Sequence, residues 1–425
     1  MKKKSEIFLA VWMVVLLFQH NKFFGQDTVT ITIDKADSIF LVNNLSLLSA
    51  KYSISAAQAL KIQAKVYPNP TLYLEQSLVN KNTRSNYDTD PTRTGSTENI
   101  VQVNQLITLA GKRNKQIRVA DINIKLTETD FENLLRTLRF QLHNDLYQLY
   151  YNQLSLKLLK EENKSIDQLS NNVDEQVKKG FISLSEGVRI KSLLLEIDQQ
   201  RMGYENADNQ LLAEINTLLN YPTGTYVNVE TDPNLSIGLL PVNTYLDSAN
   251  VYNPDVKKSN YLIDIAKAQY SLNKAMAVPN ANLQLTYDKS GNYIKNYYGI
   301  GVGFDLPAFN RNQGNIKVSE FKIDQSENDL KLQQQSIASL LFSVYQGSIN
   351  YQNTLKKYSR TYEAQLLKMM NNVFDDYQKR IITIMDFTNY YESYKQSYLS
   401  LLQIKSSLIS NIEQLNFLIG KPIIK

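Results

Sequence analysis

The sequence repeats itself at an offset of 200 residues. Residues 179–186 (KGFISLSE) align without a gap with residues 379–386 (KRIITIMD), and Pro222 aligns with Pro422. A period this long, present in only two copies, is typical of a fold built from two similar halves and argues against a solenoid. The contents of one half therefore largely determine the prediction for the whole chain.

Each half predicts the same order of elements: a helix, a pair of strands, a very long helix, a short break and a second helix. We predict a first structural repeat at 26–224, an inter-repeat linker at 225–250 and a second repeat at 251–425. The predicted strands and breaks, in chain order, are strands at about 70–79 and 99–107, a break at about 179–184, strands at about 281–289 and 297–306, and a break at about 379–384.

The N-terminus has the pattern of a secretory signal peptide. Three lysines precede an apolar run at 7–18, and the sequence turns polar after Gly25, so we predict a signal peptide at 1–25. The run is shorter than the roughly 20 residues that a spanning helix needs. Removing four lysines and one glutamate with the signal lowers the formal net charge from +5 to about +2. This mild charge gives no reason to expect a nucleic-acid partner.

The residue inventory argues against an enzyme and against a resident cofactor or metal. The chain has no cysteine and two histidines, of which His20 lies in the predicted signal peptide. His143 stands alone on a helical pattern, and we predict a satisfied histidine on a helix surface. No catalytic nucleophile or glycine-rich phosphate motif occurs in a recognisable setting.

The long helices have the period of a coiled-coil seam. From Ile117 to Val177, apolar residues recur in steps of three, four or seven, an average of about 3.5 residues. A helix at 112–178 would be about 100 Å long at 1.5 Å per residue, far longer than a globular domain requires. The other predicted helices lie at about 33–65, 184–219, 252–277, 314–377 and 384–419.

Apolar and polar residues alternate in all four predicted strands. Tyr298, Ile300 and Val302, for example, alternate with glycines. Such alternation predicts strands with apolar surroundings on one side and water on the other, as in a membrane β-barrel; two soluble hairpins packed on a core are the alternative. Four strands cannot close, and lipid does not tolerate an open edge. A barrel therefore needs several chains, with eight strands from two copies or twelve from three.

The arrangement resembles the TolC-like outer membrane factors, the exit ducts of tripartite efflux pumps and of some secretion systems. The resemblance covers nearly the whole predicted mature chain, and its motifs are 68–70 (PNP), 109–113 (LAGKR), 278–280 (VPN) and 306–310 (LPAFN). It implies a mainly α protein with a membrane portion, in which three protomers form a 12-stranded β-barrel and a 12-helix periplasmic α-barrel. The linker would lie in the equatorial region. The Gly111-Lys112-Arg113 segment is similar to the heavy-metal efflux branch.

The same resemblance implies partners and site residues. The chain would lie in the outer membrane of a Gram-negative bacterium and act with a periplasmic adaptor and an inner-membrane efflux pump or secretion transporter. The two breaks would be helix-turn-helix tips that dock the adaptor, and the matching residues are Gly180, Phe181, Ile182, Ser183, Leu184, Arg380, Ile381, Ile382, Thr383 and Ile384. The alternative is that both breaks are ordinary turns.

Just inside the tips, the family gates and lines its tunnel with charged residues. The positions that match are Glu186, Tyr377 and Asp386. Ile382 stands where some members have an arginine gate partner, and Asn389 replaces a second ring aspartate, which argues against a gate held by that salt bridge. Three copies of Asp386 at a constriction would concentrate cations, whereas a solvated surface charge is the alternative.

Two other classes of protein account for part of the sequence. An exported coiled-coil scaffold or adhesion protein would explain the long helices but not the paired amphipathic strands. A periplasmic adaptor would contain one helical hairpin and would lack the full-length duplication. A duct can pass metal ions without ligating them, so the lack of a cysteine or histidine ladder neither supports nor excludes metal cargo.

Overall fold

The computed structural model describes residues 28–76, 99–231, 238–290, 294–358 and 360–423. The predicted signal peptide, the segment 81–97 between the first two predicted strands and the end of the first predicted strand lie outside the described residues. The chain divides into two compact units. We call the part that includes Leu134–Asp247 and Ser339–Lys425, together with the first residues up to Leu48, the helical unit. The sheet unit consists of Ser49–Asn133 and Ser248–Ala338.

The described residues are mainly helical. The helices are α1 (Ile33–Asn43), α2 (Leu45–Lys65), α3 (Lys112–Lys178), α4 (Leu184–Leu219), α5 (Val242–Tyr252), α6 (Pro254–Met276), α7 (Gln313–Lys357), α8 (Arg360–Gln378) and α9 (Ile384–Ile419). The strands are β1 (Thr28–Ile31), β2 (Thr71–Gln76), β3 (Asn99–Ile107), β4 (Tyr226–Val229), β5 (Ala281–Ser290) and β6 (Lys295–Phe304). Across this part of the chain, no helix combines the length and apolar character needed to cross a membrane.

The sheet unit contains one four-stranded antiparallel sheet in the order β2-β3-β5-β6. The sequence predicts two strand pairs, and the structure joins them through β3 and β5, which belong to different halves of the chain. The register places Leu72 opposite Val103, Val103 opposite Leu285, and Leu285 opposite Ile300. Because side chains in a strand alternate between the two faces, this register puts these four apolar residues, one from each strand, on the same face.

The predicted seam of α3 forms the core of the helical unit. Leu142, Leu146, Leu149, Leu159 and Ile166 are all fully buried. Around the two breaks, α3, α4, α8 and α9 share one apolar cluster, which includes Leu169, Ile190, Val373 and Phe387. The 3.5-residue period therefore identifies the face through which these helices pack.

The helix predicted at 33–65 is wrong in one respect, because the structure divides it at Asn44 into α1 and α2. The side-chain oxygen of Asn44 accepts a hydrogen bond from the Leu47 amide (3.0 Å), and its Nδ2 donates to the Leu218 carbonyl (2.9 Å). Asparagine competes in this way with the helical hydrogen bonds of the backbone. In the second half, Asn253 plays the same part between α5 and α6, where its side chain accepts from the Asp255 amide at 2.8 Å.

The single helix predicted at 314–377 is also wrong, since α7 ends at Lys357 and α8 begins at Arg360. Lys356 and Lys357 occupy the last turn of α7, where positive charge suits the carboxyl end of a helix. The Tyr358 amide donates to the Leu355 carbonyl at 3.1 Å, an i to i−3 bond that tightens the end of the helix.

The predicted linker contains regular structure that the sequence analysis missed. Strand β4 pairs in parallel with β1, with Thr28 opposite Tyr226 and Ile31 opposite Val229. Helix α5 also begins within this segment. Both strands have only four residues, too few for the alternation of side chains to give a clear signal.

Candidate functional site

The two breaks form turns of the same type. After α3, Gly180 has a φ of 76°, and the Phe181 amide donates to the Gln176 carbonyl at 2.9 Å. After α8, Arg380 has a φ of 58°, and the Ile381 amide donates to the Asp376 carbonyl at 2.9 Å. This bond across a left-handed residue is the Schellman motif that ends many helices. Arg380 therefore adopts a backbone conformation that favours glycine.

Each turn leads into a helix through a capping box. In the first, the Glu186 amide donates to Ser183 Oγ, and the Ser183 amide donates to Glu186 Oε2, both at 3.3 Å. In the second, the Asp386 amide donates to Thr383 Oγ1 at 3.2 Å, and Thr383 Oγ1 donates to Asp386 Oδ2 at 2.6 Å. The two predicted gate carboxylates thus also help to cap the amino ends of α4 and α9. The S-x-x-E and T-x-x-D spacings could have revealed this role in the sequence.

The structure divides the predicted docking residues into exposed and inward-facing ones. Phe181, Leu184 and Ile381 are 70%, 72% and 67% exposed. Ile384 is buried, and Ile182 and Ile382 pack against the apolar cluster. The remaining four predicted docking residues are exposed: Gly180, Ser183, Arg380 and Thr383. Val188 and Met385, near the starts of α4 and α9, are also exposed and were not among the predicted docking residues.

Tyr377 connects the predicted gate residues of the two halves. Its ring stacks on Phe387 with the centroids 4.9 Å apart. Burial raises the pKa of Tyr377, the nearby Glu186 carboxylate raises it further, and Arg380 opposes this shift. Tyr377 therefore lies within electrostatic reach of Glu186 from the other half. Asn389 is exposed on α9, and Ile382 packs inward rather than facing a carboxylate.

A set of polar contacts joins the two halves near the two breaks, and none of its residue pairs is among the sequence predictions. Its hydrogen bonds run from Arg380 to Gln176 (3.2 Å), from Arg189 to Thr388 (3.1 Å) and from Lys395 to Glu196 (2.9 Å). Lys395 is 1% exposed. Burial favours a neutral Glu196, but the hydrogen bond and charge of Lys395 hold the pKa of Glu196 below its usual value. The 200-residue offset could have suggested such pairs, because it relates Arg189 to residue 389 and Glu196 to residue 396.

One face of the sheet is apolar and exposed. Its members include Leu74, Tyr298, Ile300 and Val302, which are 59–76% exposed. Tyr287 and Tyr298 pair at one end of this face, with ring centroids 4.9 Å apart. The other face carries mostly polar or small residues, such as Gln102, Asn104, Gln284, Thr286 and the glycines of β6, together with Ile100 and Leu106 of β3.

The Gly111-Lys112-Arg113 segment contacts the two chain segments that precede β2 and β5. Lys112 is buried, and its Nζ donates to the Val278 carbonyl (2.6 Å) and to Asn280 Oδ1 (2.5 Å), just before β5. Arg113 donates to the Lys65 carbonyl at 2.7 Å and lies over the Tyr67 ring, before β2. One motif therefore positions the first strand of each half.

His143 is not the surface histidine that the sequence predicts. It lies between helices, where its Nε2 is 3.1 Å from Asp37 Oδ1 and its Nδ1 is 3.1 Å from Glu413 Oε2. The described residues contain no group of three or more His, Cys, Asp or Glu residues placed to hold a metal ion.

Two carboxyl groups are buried within the helical unit. Burial raises the pKa of Asp145 to about 7 and the pKa of Asp208 to about 6.

Comparison with known proteins relates this arrangement to outer membrane channels. Residues 38–221 match the family described as outer membrane efflux protein. The cobalt-zinc-cadmium resistance protein CzcC of Cupriavidus metallidurans is 24% identical over 310 residues, which cover 70% of this chain and 68% of CzcC. The structure of CusC is similar with a TM-score of 0.72 at 16% identity and 92% coverage of both chains. VceC of Vibrio cholerae gives 0.71 at 14% identity, with 92% of this chain and 96% of VceC covered.

The chain therefore has the fold of the TolC-like outer membrane channels. In sequence it is similar to the outer membrane efflux proteins, which confirms the recognition made from its motifs. That family consists of efflux conduits, in agreement with the prediction that the chain is not an enzyme.

Proposed function

We propose that this protein is the outer membrane exit duct of a tripartite efflux or secretion system. It would passively conduct substrates that an inner-membrane transporter and a periplasmic adaptor deliver. The observation that carries this proposal is the four-stranded sheet, whose exposed apolar face continues across both halves of the chain. A coiled-coil scaffold or adhesion protein has no use for such a face.

The strand edges support assembly into a closed barrel. Within the described residues, β2 and β6 each pair on one side only. In the hydrocarbon of a membrane, unpaired backbone groups at such edges cost several kcal/mol each, so the sheet must close. Three copies would join β6 of one protomer to β2 of the next and give twelve strands, consistent with the even strand numbers of bacterial barrels. The helices of three protomers would form the periplasmic tunnel.

The tips would be the adaptor-docking surface. Phe181, Leu184 and Ile381 present apolar side chains to solvent at the ends of the two hairpins. Small clusters of exposed apolar residues at fixed turns are suited to contact with a similar helical tip. The inward positions of Ile182, Ile382 and Ile384 limit direct docking to the remaining residues of the predicted set.

Glu186 and Asp386 would form two acidic rings just inside the tips of the trimer. A carboxylate in the first turn of a helix interacts favourably with the backbone amides and with the positive end of the helix. Capping and ring formation are therefore compatible. Tyr377 and Asn389 would lie beside these rings, and no arginine is available at position 382 to neutralise them.

Conductance in planar lipid bilayers tests the proposal. We expect the wild-type protein to form cation-selective channels and Asp386→Asn to reduce the selectivity, because asparagine can keep the bond to Thr383 but has no charge. Asp329→Asn, at an exposed position on α7, is the matched control and should leave the selectivity unchanged. A soluble, monomeric mature protein without conductance would exclude the duct and favour the scaffold. Unchanged selectivity in a conducting Asp386→Asn channel would contradict the acidic ring at Asp386 but not the duct.

The cargo is a separate proposal. The similarity to CzcC, a protein named for resistance to cobalt, zinc and cadmium, favours heavy-metal ions among the substrate classes. The duct would pass these ions without binding them at a resident site.

A further inference from the structure

The beginning of α3 carries an unusual concentration of positive charge. Lys112, Arg113, Lys115 and Arg118 lie within its first seven residues, and its first turn contains no acidic residue. The amino end of a helix has a partial positive charge, so cations there typically cost 0.3–1 kcal/mol each. Lys112 and Arg113 offset this cost through their bonds to the segments before β5 and β2. In the described part of the chain, the side chains of Lys115 and Arg118 make no such bonds that would offset the cost of their charge.

Lys115 and Arg118 line an open groove between α3 and α6 within the sheet unit. The groove has a volume of about 250 Å³, and its other lining residues are Asp264, Lys267, Ala268 and Ser271. Lys267 forms an ion pair with Glu327 (3.2 Å). Among the described residues, neither Lys115 nor Arg118 has a carboxylate within ion-pair distance, although Asp264 lines the same groove. The groove thus combines three cations, one carboxylate and one hydroxyl.

The position of the groove along the chain points to a type of ligand. Lys115 follows the end of β3 at Ile107 by eight residues, and Ser271 precedes the start of β5 at Ala281 by ten. The groove therefore lies just beyond the ends of the strands that carry the apolar face. In a bilayer, the phosphate groups of lipids occupy the layer just outside the hydrocarbon core. Basic grooves between helices at this level attract anionic headgroups.

We propose that this groove binds the phosphate group of an anionic phospholipid in the periplasmic leaflet of the outer membrane. Lys115 and Arg118 would contact the phosphate oxygens, and the Ser271 hydroxyl would donate one further hydrogen bond. The proposal rests on the proposed function, because it assumes that the apolar face of the sheet lies in the outer membrane. The lipid would fix the level at which the sheet sits in the membrane.

Native mass spectrometry of the detergent-purified full-length protein tests this site. We expect the wild type to retain phosphatidylglycerol in preference to phosphatidylethanolamine. The double variant Lys115→Gln/Arg118→Gln should bind phosphatidylglycerol about 30-fold more weakly, since one cation near an anionic lipid contributes about 1 kcal/mol. The control Lys331→Gln/Lys368→Gln removes the same charge from exposed positions on α7 and α8 and should retain the lipid. Ser271→Glu adds a carboxylate to the groove and provides an independent variant if the double variant does not fold.

Each outcome decides one part of the proposal. Equal retention of phosphatidylglycerol by the groove variants and the control, in protein that enters the outer membrane, would contradict the lipid site and leave the duct intact. Inorganic phosphate that binds to the wild type and competes with the lipid at millimolar concentration would assign the groove to a soluble anion. A wild-type protein that does not enter the membrane would contradict both the duct and this site.

Discussion

His143 links three helices of the helical unit through its side-chain contacts. It lies on α3 and contacts Asp37 of α1 and Glu413 of α9, and Arg139 adds a second cation 3.2 Å from Asp37. Burial alone would lower the pKa of His143, but the hydrogen bonds and charges of the two carboxylates outweigh burial and raise it to about 9. The histidine is therefore charged at neutral pH and balances two acidic groups in a partly buried place.

The raised pKa predicts how stability depends on pH. The folded-state pKa of His143 exceeds its unfolded value of 6.5, so its contribution is fully present below about pH 6.5 and is lost as the pH rises through about 9. A shift of this size corresponds to about 3 kcal/mol. We expect His143→Gln to lower the melting temperature at pH 6 to 7 and to differ little from the wild type above about pH 9.5, as measured by circular dichroism in detergent.

Lys368→Gln is the control for this experiment, because Lys368 is exposed on α8. It should melt like the wild type at every pH. A difference between His143→Gln and the wild type that stays constant from pH 6 to 10 would show that His143 acts through packing and not through its charge.

At the scale of single residues, the sequence predicts less of the site than of the fold. The resemblance predicts a gate role for Glu186 and Asp386, and the structure shows both residues in capping boxes, which the spacing alone could have indicated. It does not separate Ile382, which packs inward, from Ile381, which faces solvent. Ile381 and Ile382 are the same residue type, and only the backbone of the turn decides which side chain faces solvent. A turn has no repeating pattern of side chains from which this direction could be predicted.

The secondary-structure elements are predicted where a period extends over many residues. The seam of α3 covers more than ten turns, so its face and its length follow from the sequence. The breaks after Asn43 and Lys357 are missed because each depends on a few individual hydrogen bonds and not on a repeating pattern. One of the Asn44 bonds reaches Leu218, more than 170 residues away, and no local pattern contains it.

The two tip turns allow a matched test of backbone conformation. Gly180 has a positive φ, and a Cβ added there would meet no atom within 4 Å, so Gly180→Ala should be unfavourable through the backbone alone. A left-handed conformation costs a residue with a Cβ about 1 kcal/mol, and Arg380→Gly should gain a similar amount. We expect hydrogen exchange at the Phe181 amide to become about fivefold faster in Gly180→Ala, and that at the Ile381 amide about fivefold slower in Arg380→Gly.

Gly203→Ala provides the control for this pair. Gly203 lies within α4 and also has open space around its Cβ position, but its φ is not positive. Alanine there should favour the helix and leave exchange in the turns unchanged. Slower exchange in Gly180→Ala would contradict the role given to the left-handed residue.

The pairing of β3 with β5 unites the two halves of the molecule in one sheet. The sequence predicts the apolar side of each strand correctly, because alternation is a local property. It does not predict which strands pair across the halves, since that pairing joins residues about 180 positions apart. With the pairing known, Val103 and Leu285 are neighbours on a continuous apolar face, and this face supports the proposed assembly in a membrane.

This face provides a test of assembly with two adjacent positions. Leu285 lies on the apolar face and Thr286 on the polar face of the same strand, at nearly the same depth. An arginine on the lipid side of a barrel costs about 2–4 kcal/mol near the middle of the bilayer, whereas one on the water side costs little. We therefore expect Leu285→Arg to reduce the heat-modifiable trimer in the outer membrane fraction strongly and Thr286→Arg to leave most of it in place. Equal amounts of trimer from both variants would mean that the apolar face does not meet lipid, and the sheet would then have to be covered by protein.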